Sequence, residues 1–395
     1  MKLVIYHNIM WARYKAAVFS VLYRQTAASG VDLKIYQIAE TESDRVALSP
    51  VDTDWHSYPY ELLFKGAYSS VPKFKLVREL ARRAWADEAD LTILTGYERP
   101  EIWIQALILF LRHKRFAWFC DSTVYDNPQT TLRGLAKRVL FWMADGIFCY
   151  GQRSQQYLSL YGVPNGKIFI RRQAAALPQE YSKEAVLRRR AASASSPERP
   201  RYLYVGRLSP EKSIEQLFLA FSKVVAQYPF ASLVVVGRGP QENALRRLAD
   251  QLGISSSVEF AGAKFDEALI DEYYQATCLV LPSRSEPWGL VVNESLSYGC
   301  PAIVNFRCGC VPELIIDGIT GHSFEDENIQ DLTEKLLAAP AKFKDSLATA
   351  RSCLDKIAEF TPIVAGAGIL RGAATITGRD SRAAKLDKNS NEYPQ

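Results

Sequence analysis

The sequence has no apolar run long enough to cross a bilayer. Its longest, Ile102–Leu111, is half of the roughly 20 residues that a spanning helix needs, and it ends in Arg112, His113, Lys114 and Arg115. It also lacks the apolar core of a secretory leader. After Met1 and Lys2 only four apolar residues precede His7 and Asn8, against the roughly 7–15 such a signal requires; the start reads as a first β-strand in a protein kept in the cytoplasm. The 7 cysteines are an odd count without a C-x-x-C pair, and only Cys308 and Cys310 lie close together. Buried free thiols fit that pattern better than a disulfide framework or a metal site. Zinc-finger spacing, an RNA-recognition strand signature and a long basic stripe are missing, so no nucleic-acid partner is expected.

What is present describes an ordinary globular protein. A chain of 395 residues is long enough for two or three domains at roughly 100–200 residues each. With 48% hydrophobic, 23% charged and 11% aromatic residues, it is neither collagen-like nor wholly disordered. The net charge of +5 is uneven: residues 1–200 hold 28 Lys and Arg against 19 Asp and Glu, and the remainder 20 against 24. The basic half suits an anionic surface or simply solubility.

The clearest break runs from Arg188 through a Ser, Ala and Pro stretch to Pro200, and reads as an exposed connection. Beyond it, short apolar strands are expected at Tyr202–Gly206, Ser232–Gly237, Val258–Gly262, Cys278–Pro282 and Pro301–Asn305. Between them Ile214–Tyr228 and Gln241–Leu252 carry the 3.6-residue period of amphipathic helices. Alternation of this kind implies right-handed βαβ units and a parallel sheet covered on both faces. The first half repeats the pattern, with strands at Leu3–Tyr6, Leu33–Tyr36, Leu91–Leu94, Phe116–Phe119 and Gly146–Cys149. Its helices fit Arg13–Ser29, Lys73–Ala86, Trp103–Leu111 and Leu132–Met143. The expected fold is α/β, with two tandem Rossmann-like domains whose parallel sheets face across a cleft, and ligands bind beyond the carboxyl ends of such strands. The expected division is 1–187, a linker at 188–200, 201–374 with a last helix free to pack back on the first domain, and a disordered tail at 375–395.

Three segments past predicted strands could carry chemistry. Gly206 permits a tight turn, and Arg207 and Lys212 form a cation pair suited to a diphosphate, unless both are merely solvated. Gly237-Arg238-Gly239-Pro240 is a second turn. In the third, Pro287 and Gly289 lead into a helix over Leu290–Tyr298, so amides near Gly289, Leu290 and Val291 make a helix-start anion site. Glu286 before the helix and Glu294 within it could line one pocket, or simply be acidic residues near a helix start. Asp52-Thr53-Asp54 is an Asp-x-Asp pair in a polar loop, read as solvated rather than metal-binding. Among the 4 histidines only His7 lies near the expected cleft; His56, His113 and His322 read as loop or surface residues.

Taken in order, Arg207 with Lys212, the VGRGP turn, the LPS-x-x-E lead-in, Glu286 and Glu294 with seven residues between them, Glu313 in a Val-Pro-Glu turn and the Asp317–Gly321 loop resemble the family-4 glycosyltransferases of the GT-B type. The resemblance runs from about Tyr202 to Gly321. It implies retaining transfer of a hexose from a nucleotide diphosphate sugar, without a bound metal or other cofactor. Under it Arg207 and Lys212 neutralise the leaving diphosphate, Glu286 binds donor-sugar hydroxyls, and amides at Gly289, Leu290 and Val291 meet sugar and phosphate oxygens. Gly206 and Gly237 shape the donor loops, Glu294 accepts from the ribose, and Ala263 and Lys264 lie near the base. The first domain would hold a glycan or lipid-linked acceptor, in surface polysaccharide or glycolipid synthesis.

The first half departs from the family. A Gly-rich loop is replaced by His7–Lys15, and a strand-end histidine by Cys120, Asp121 and Ser122. His7, Asp121 and Ser122 are therefore the acceptor-side candidates, with a loop or helix cap as the alternative for the last two. Lys and Arg beside Trp and Phe in Leu132–Met143, together with Arg112–Arg115, could dock the domain on an anionic membrane's inner face; a core helix with a basic outer face accounts for them equally. A non-catalytic nucleotide-sugar-binding protein and a GT-B epimerase or phosphorylase are the competing functions.

Overall fold

Short apolar runs rich in Val, Ile, Leu, Phe and Tyr become strands buried on both faces, and the amphipathic stretches between them become the helices that cover those faces. The computed structural model describes residues 1–43, 45, 51–126, 131–193 and 196–379. They divide into two units, Met1–Ala176 joined by Thr361–Gln395, and Leu177–Phe360.

The first unit runs β1 (Lys2–Ile9), α1 (Arg13–Ser29), β2 (Asp32–Thr41), β3 (Tyr60–Ala67), α2 (Lys73–Trp85), β4 (Leu91–Leu94), α3 (Pro100–Leu111), β5 (Phe116–Cys120), α4 (Thr131–Met143), β6 (Gly146–Cys149), α5 (Gln152–Leu160) and β7 (Ile168–Ile170). Its sheet has the order β3-β2-β1-β4-β5-β6-β7 and is parallel throughout. The second unit runs α6 (Lys183–Ala192), β8 (Arg201–Val205), α7 (Ile214–Gln227), β9 (Ser232–Val236), α8 (Glu242–Gln251), β10 (Val258–Gly262), α9 (Asp266–Gln275), β11 (Cys278–Leu281), α10 (Leu290–Ser297), β12 (Ala302–Asn305), α11 (Val311–Leu314), β13 (Gly321–Phe324), α12 (Ile329–Lys342) and α13 (Ser346–Ile357). Its parallel sheet has the order β10-β9-β8-β11-β12-β13. In both sheets the strand order reverses once, between β1 and β4 and between β8 and β11, and such a switch point opens a crevice at the strands' carboxyl ends.

Three boundaries differ from the sequence expectation. The first unit ends at Ala176, not at residue 187. The stretch taken for an exposed linker begins inside α6, because Arg189 and Arg190 are structural. Arg190 is buried and donates to the carbonyls of Tyr273, Tyr274, Ala276 and Tyr298 at 2.8–3.2 Å, satisfying acceptors left open past the end of α9. Arg189 pairs with Glu267 and Asp271 on α9. Residues 194 and 195 lie outside the described residues.

The third difference is at the C-terminus. Helix α14 (Pro362–Thr377) belongs to the first unit, in keeping with a last helix that packs back on it, but it continues through residues 375–377, which were expected in the tail; 380–395 lie outside the described residues. Its apolar side chains Ala365, Ile369, Leu370 and Ala373 are buried, as in a core helix. Glycine lets it lie close to the sheet: a Cβ on Gly372 would stand 2.3 Å from the Phe148 ring, and one on Gly368 3.1 Å from the Arg171 backbone.

Candidate functional site

The carboxyl edge of the second sheet is built from glycine turns. Gly206 donates its N–H to Val236 O at 3.0 Å, Gly237 to Gly262 O at 2.7 Å, and Leu208 to Arg238 O at 3.0 Å. These bonds tie the loops after β8, β9 and β10 together. The approach excludes side chains: a Cβ on Gly237 would lie 1.8 Å from Gly206 O, and one on Gly239 2.3 Å from Leu208 O. Beyond Gly206, a single 3-10 turn over Pro210–Lys212 leads to Ser213, at φ 51°, and α7.

That turn aims Lys212 at Glu286, which follows β11, and the two form an ion pair across the switch point. Their side chains are 13% and 18% exposed, so solvent screens the pair little. Behind Glu286 the loop is pinned by Gly309 N–H on Glu286 O at 3.0 Å and by Trp288 Nε1 donating to Asn293 Oδ1 at 2.6 Å. Gly289, at φ 99°, caps α10. As at any helix start, the amides of Leu290 and Val291 lack an acceptor within the helix.

The remaining donor-side candidates sit on the same unit with other partners. Arg207 is 59% exposed, its Nη2 3.3 Å from Glu211 Oε1, and Ser209 Oγ donates to the same oxygen at 2.6 Å. Glu294 on α10 accepts from Tyr273 Oη at 2.9 Å; burial pushes its carboxyl up to about 7, against a partial offset from that bond. Ala263 follows β10 directly. Lys264 donates to Glu272 Oε1 at 2.5 Å, and Arg201 to Glu272 Oε2 at 2.5 Å. Burial opposes ionisation of Glu272, yet these two cations hold its carboxyl below the usual range. The structure thus joins Lys212 to Glu286 and Gly206 to Gly237, and gives Glu294 and Lys264 their own partners.

In the first unit the sequence candidates have different hydrogen-bond partners. His7 is 5% exposed. Its Nδ1 donates to Gln37 Oε1 at 3.1 Å, Gln37 Nε2 donates to Tyr58 Oη at 2.8 Å, and Tyr58 Oη meets His56 Nδ1 at 2.7 Å. Burial, with Lys15 nearby, pulls His7 down to about 3 and keeps it neutral. Ser122 takes the hydroxyl of Tyr97.

Asp121 is the centre of a charged cluster. Lys15 Nζ donates to Tyr150 Oη at 2.8 Å, Tyr150 Oη donates to Asp121 Oδ2 at 3.0 Å, and Arg171 Nη2 donates to Asp121 Oδ1 at 3.3 Å. Lys15 and Arg171 are almost wholly buried, whereas the Asp121 side chain is 41% exposed. Burial first, then the Arg171 charge, pulls Lys15 down to about 7; Asp121 opposes this. Although burial opposes it, Lys15 and Arg171 hold Asp121 below its ordinary value. Sequence reasoning missed Lys15, Tyr150 and Arg171. Each is an isolated residue, and the one signal for Tyr150 and Arg171 was a place directly after β6 and β7.

Other residues singled out in the sequence have local surroundings of their own. Asp52 Oδ2 pairs with Arg13 at 3.0 Å, and its Oδ1 accepts from Asp54 N–H at 3.3 Å at the start of a 3-10 turn. Among the described residues no three His, Cys, Asp or Glu side chains converge as a metal site. All seven cysteines are buried. His322 is neither loop nor surface: it lies in β13, 8% exposed, its Nδ1 2.7 Å from Asp317 Oδ1.

Residues 187–341 match the family of glycosyl transferases group 1. The chain is 24% identical over 363 residues to D-inositol 3-phosphate glycosyltransferase of Mycolicibacterium smegmatis, covering 85% of this chain and 80% of that one. In fold it is similar to the lipopolysaccharide outer core galactosyltransferase WaaB, with a TM-score of 0.69 at 16% identity over 94% of this chain and 99% of that one. It is also similar to HepE of Anabaena, solved with UDP and glucose, with a TM-score of 0.66 at 16% identity over 94% and 98%. The two-sheet α/β architecture is that of the GT-B fold, and residues 187–341 form a glycosyl transferases group 1 domain.

Proposed function

We propose that the protein transfers a hexose from a nucleotide diphosphate sugar to a glycan or lipid-linked acceptor, with retention of configuration, in surface polysaccharide or glycolipid synthesis at the cytoplasmic face of a membrane. The observation that carries the donor reading is the Lys212–Glu286 pair at the switch point of the second sheet, beneath the start of α10. A cation, a carboxylate and free helix-start amides suit three parts of one ligand: diphosphate, sugar hydroxyls and phosphate oxygens. The relatives add support, since HepE was solved with UDP and glucose.

In this reading Arg207 and Lys212 stabilise the charge that develops on the departing diphosphate, where preorganised cations act most strongly. Glu286 exchanges its ion pair for donor-sugar hydroxyls. The acceptor hydroxyl attacks from the face the diphosphate leaves, and a phosphate oxygen takes its proton, so neither a protein nucleophile nor a metal is required. Glu294 receives ribose hydroxyls. On the first unit Asp121, kept ionised by Lys15 and Arg171, accepts from acceptor hydroxyls.

A calorimetric and thermal-shift panel of UDP, GDP and ADP with their sugar derivatives tests the donor step. Ligand at 100 times its dissociation constant stabilises by about 2.7 kcal/mol. A response to one diphosphate chooses the labelled sugar for a transfer assay, in which NMR of the product anomer reads retention; no response to any would overturn the reading.

A further inference from the structure

Two helices of the first unit turn apolar faces outward. The exposed large side chains are Ile104, Leu107 and Leu111 on α3, and Leu135, Val139 and Trp142 on α4. Each set recurs every three or four positions, so each forms a stripe along one helix face. Leu111 is 65% and Trp142 69% exposed, while Ile102, Ala106 and Leu109 on the other side of α3 are buried. The Phe110 and Trp142 rings meet at 5.7 Å and join the stripes. The Arg112 guanidinium lies 5.3 Å from the ring of Trp85, itself exposed, and extends the patch.

The charged residues that the two helices and the α3–β5 turn carry beside these stripes have one sign. Residues 102–115 and 131–143 contain six Lys and Arg and no Asp or Glu. An exposed apolar patch of this kind marks a binding surface. A second copy of the chain would match the apolar stripes but would set like charges against each other in a two-fold contact. An anionic bilayer matches both features, receiving apolar side chains among its headgroups and cations at its phosphates.

We propose that the α3–α4 face docks the protein on an anionic lipid surface, with Leu111 and Trp142 entering the headgroup layer and Arg115 and Arg138 meeting lipid phosphates. This extends the reading of a lipid-linked acceptor given above, and its test needs no donor, so either can fail alone.

The full chain is sedimented with phosphatidylcholine vesicles, with and without phosphatidylglycerol. Binding is expected only on the anionic vesicles and weakens as salt is raised. Arg115→Ser and Arg138→Ser each reduce partitioning by about fivefold, one surface charge being worth about 1 kcal/mol. Leu111→Ser with Trp142→Ser abolishes it while the thermal shift with nucleotide diphosphate stays that of the unaltered chain. Equal binding to both vesicles, or unchanged binding by the double variant, overturns the proposal. So does a dimer in sedimentation velocity that Trp142→Ser dissolves without any vesicle binding, which would assign the face to a second copy.

Discussion

Lys212 and Glu286, 74 positions apart in sequence, meet as an ion pair where the second sheet reverses its strand order. Each is the other's neutralising partner in a setting that solvent screens little. A bound diphosphate sugar offers both a better partner: phosphate oxygens for the ammonium and hydroxyl donors for the carboxylate. In the proposed function the pair is where the donor binds, each member exchanging the other for a part of the ligand.

Removing either member is expected to cost transfer at least about 100-fold, the scale of losing one preorganised electrostatic group. Lys212→Ala and Glu286→Ala also each strand a partly buried charge, at about 1–2 kcal/mol of stability, while the double variant loses less than the sum. Labelled-donor assays and thermal melts on the three variants check this. Full activity in both single variants would remove the pair from the site.

Glu294 makes the second unit's stability fall with rising pH. Its carboxyl stands at about 7 in the fold against an ordinary 4.5, so the folded state binds the extra proton between those values. The stabilisation is fully present below pH 4.5 and is lost as pH rises through 7, an effect of about 3 kcal/mol at most. Glu294→Gln should flatten this part of the profile. Denaturation of the two proteins at pH 5 and pH 8 measures the difference.

Lys15 acts with the opposite sign. Its ammonium stands at about 7 against an ordinary 10.5, so the folded state binds fewer protons than the unfolded one between those values. Its contribution grows as pH rises from 7 towards 10.5. Lys15→Met should remove that rise. Asp121→Asn, by contrast, leaves Lys15 and Arg171 without their carboxylate and should cost about 2 kcal/mol at pH 7, reduced from a fully buried case because Asp121 reaches solvent.

The glycine turns give a steric prediction. Gly237→Ala places a Cβ 1.8 Å from Gly206 O at φ 139°, which requires the loops after β8 and β9 to part. A loss of more than about 3 kcal/mol and of nucleotide binding is expected. Gly166→Ala, with nothing within 4 Å of its Cβ, should change stability by no more than about 0.5 kcal/mol. Chemical denaturation and calorimetry of both separate a local clash from a general intolerance of alanine.

Most strands and several helices were legible because each carried its own period. Helix α1 spans Arg13–Ser29 as its sequence indicates, and β8 to β12 fall on the expected apolar runs. Strand β3 was not legible, since an edge strand is half-exposed and shows no buried run. Helix α6 was hidden because its arginines look like solvated charge, whereas Arg190 bonds carbonyls at the ends of α9 and α10 and Arg189 pairs with carboxylates of α9. Helix α14 was only half legible, as the glycines that let it approach the sheet weaken any helical signal. The glycine turns and the Lys212–Glu286 pair of the second unit lie in contiguous segments just past strands, so their gathering at one sheet edge was legible. The Asp121 cluster could not, because Lys15, Tyr150 and Arg171 reach it from three distant parts of the chain and no local spacing relates them.

Because α14 is packed into the first unit, the chain leaves that unit at Ala176 and returns to it at Thr361. During synthesis the second unit is an insertion that can close on itself as soon as Phe360 has emerged. The first unit is begun before the second and completed after it, and the side of α1 that α14 packs against stays bare until α14 arrives. Any shortened version ending before that helix would expose this side of α1, and a version stopping at Ala176 is a fragment with an open core rather than a domain.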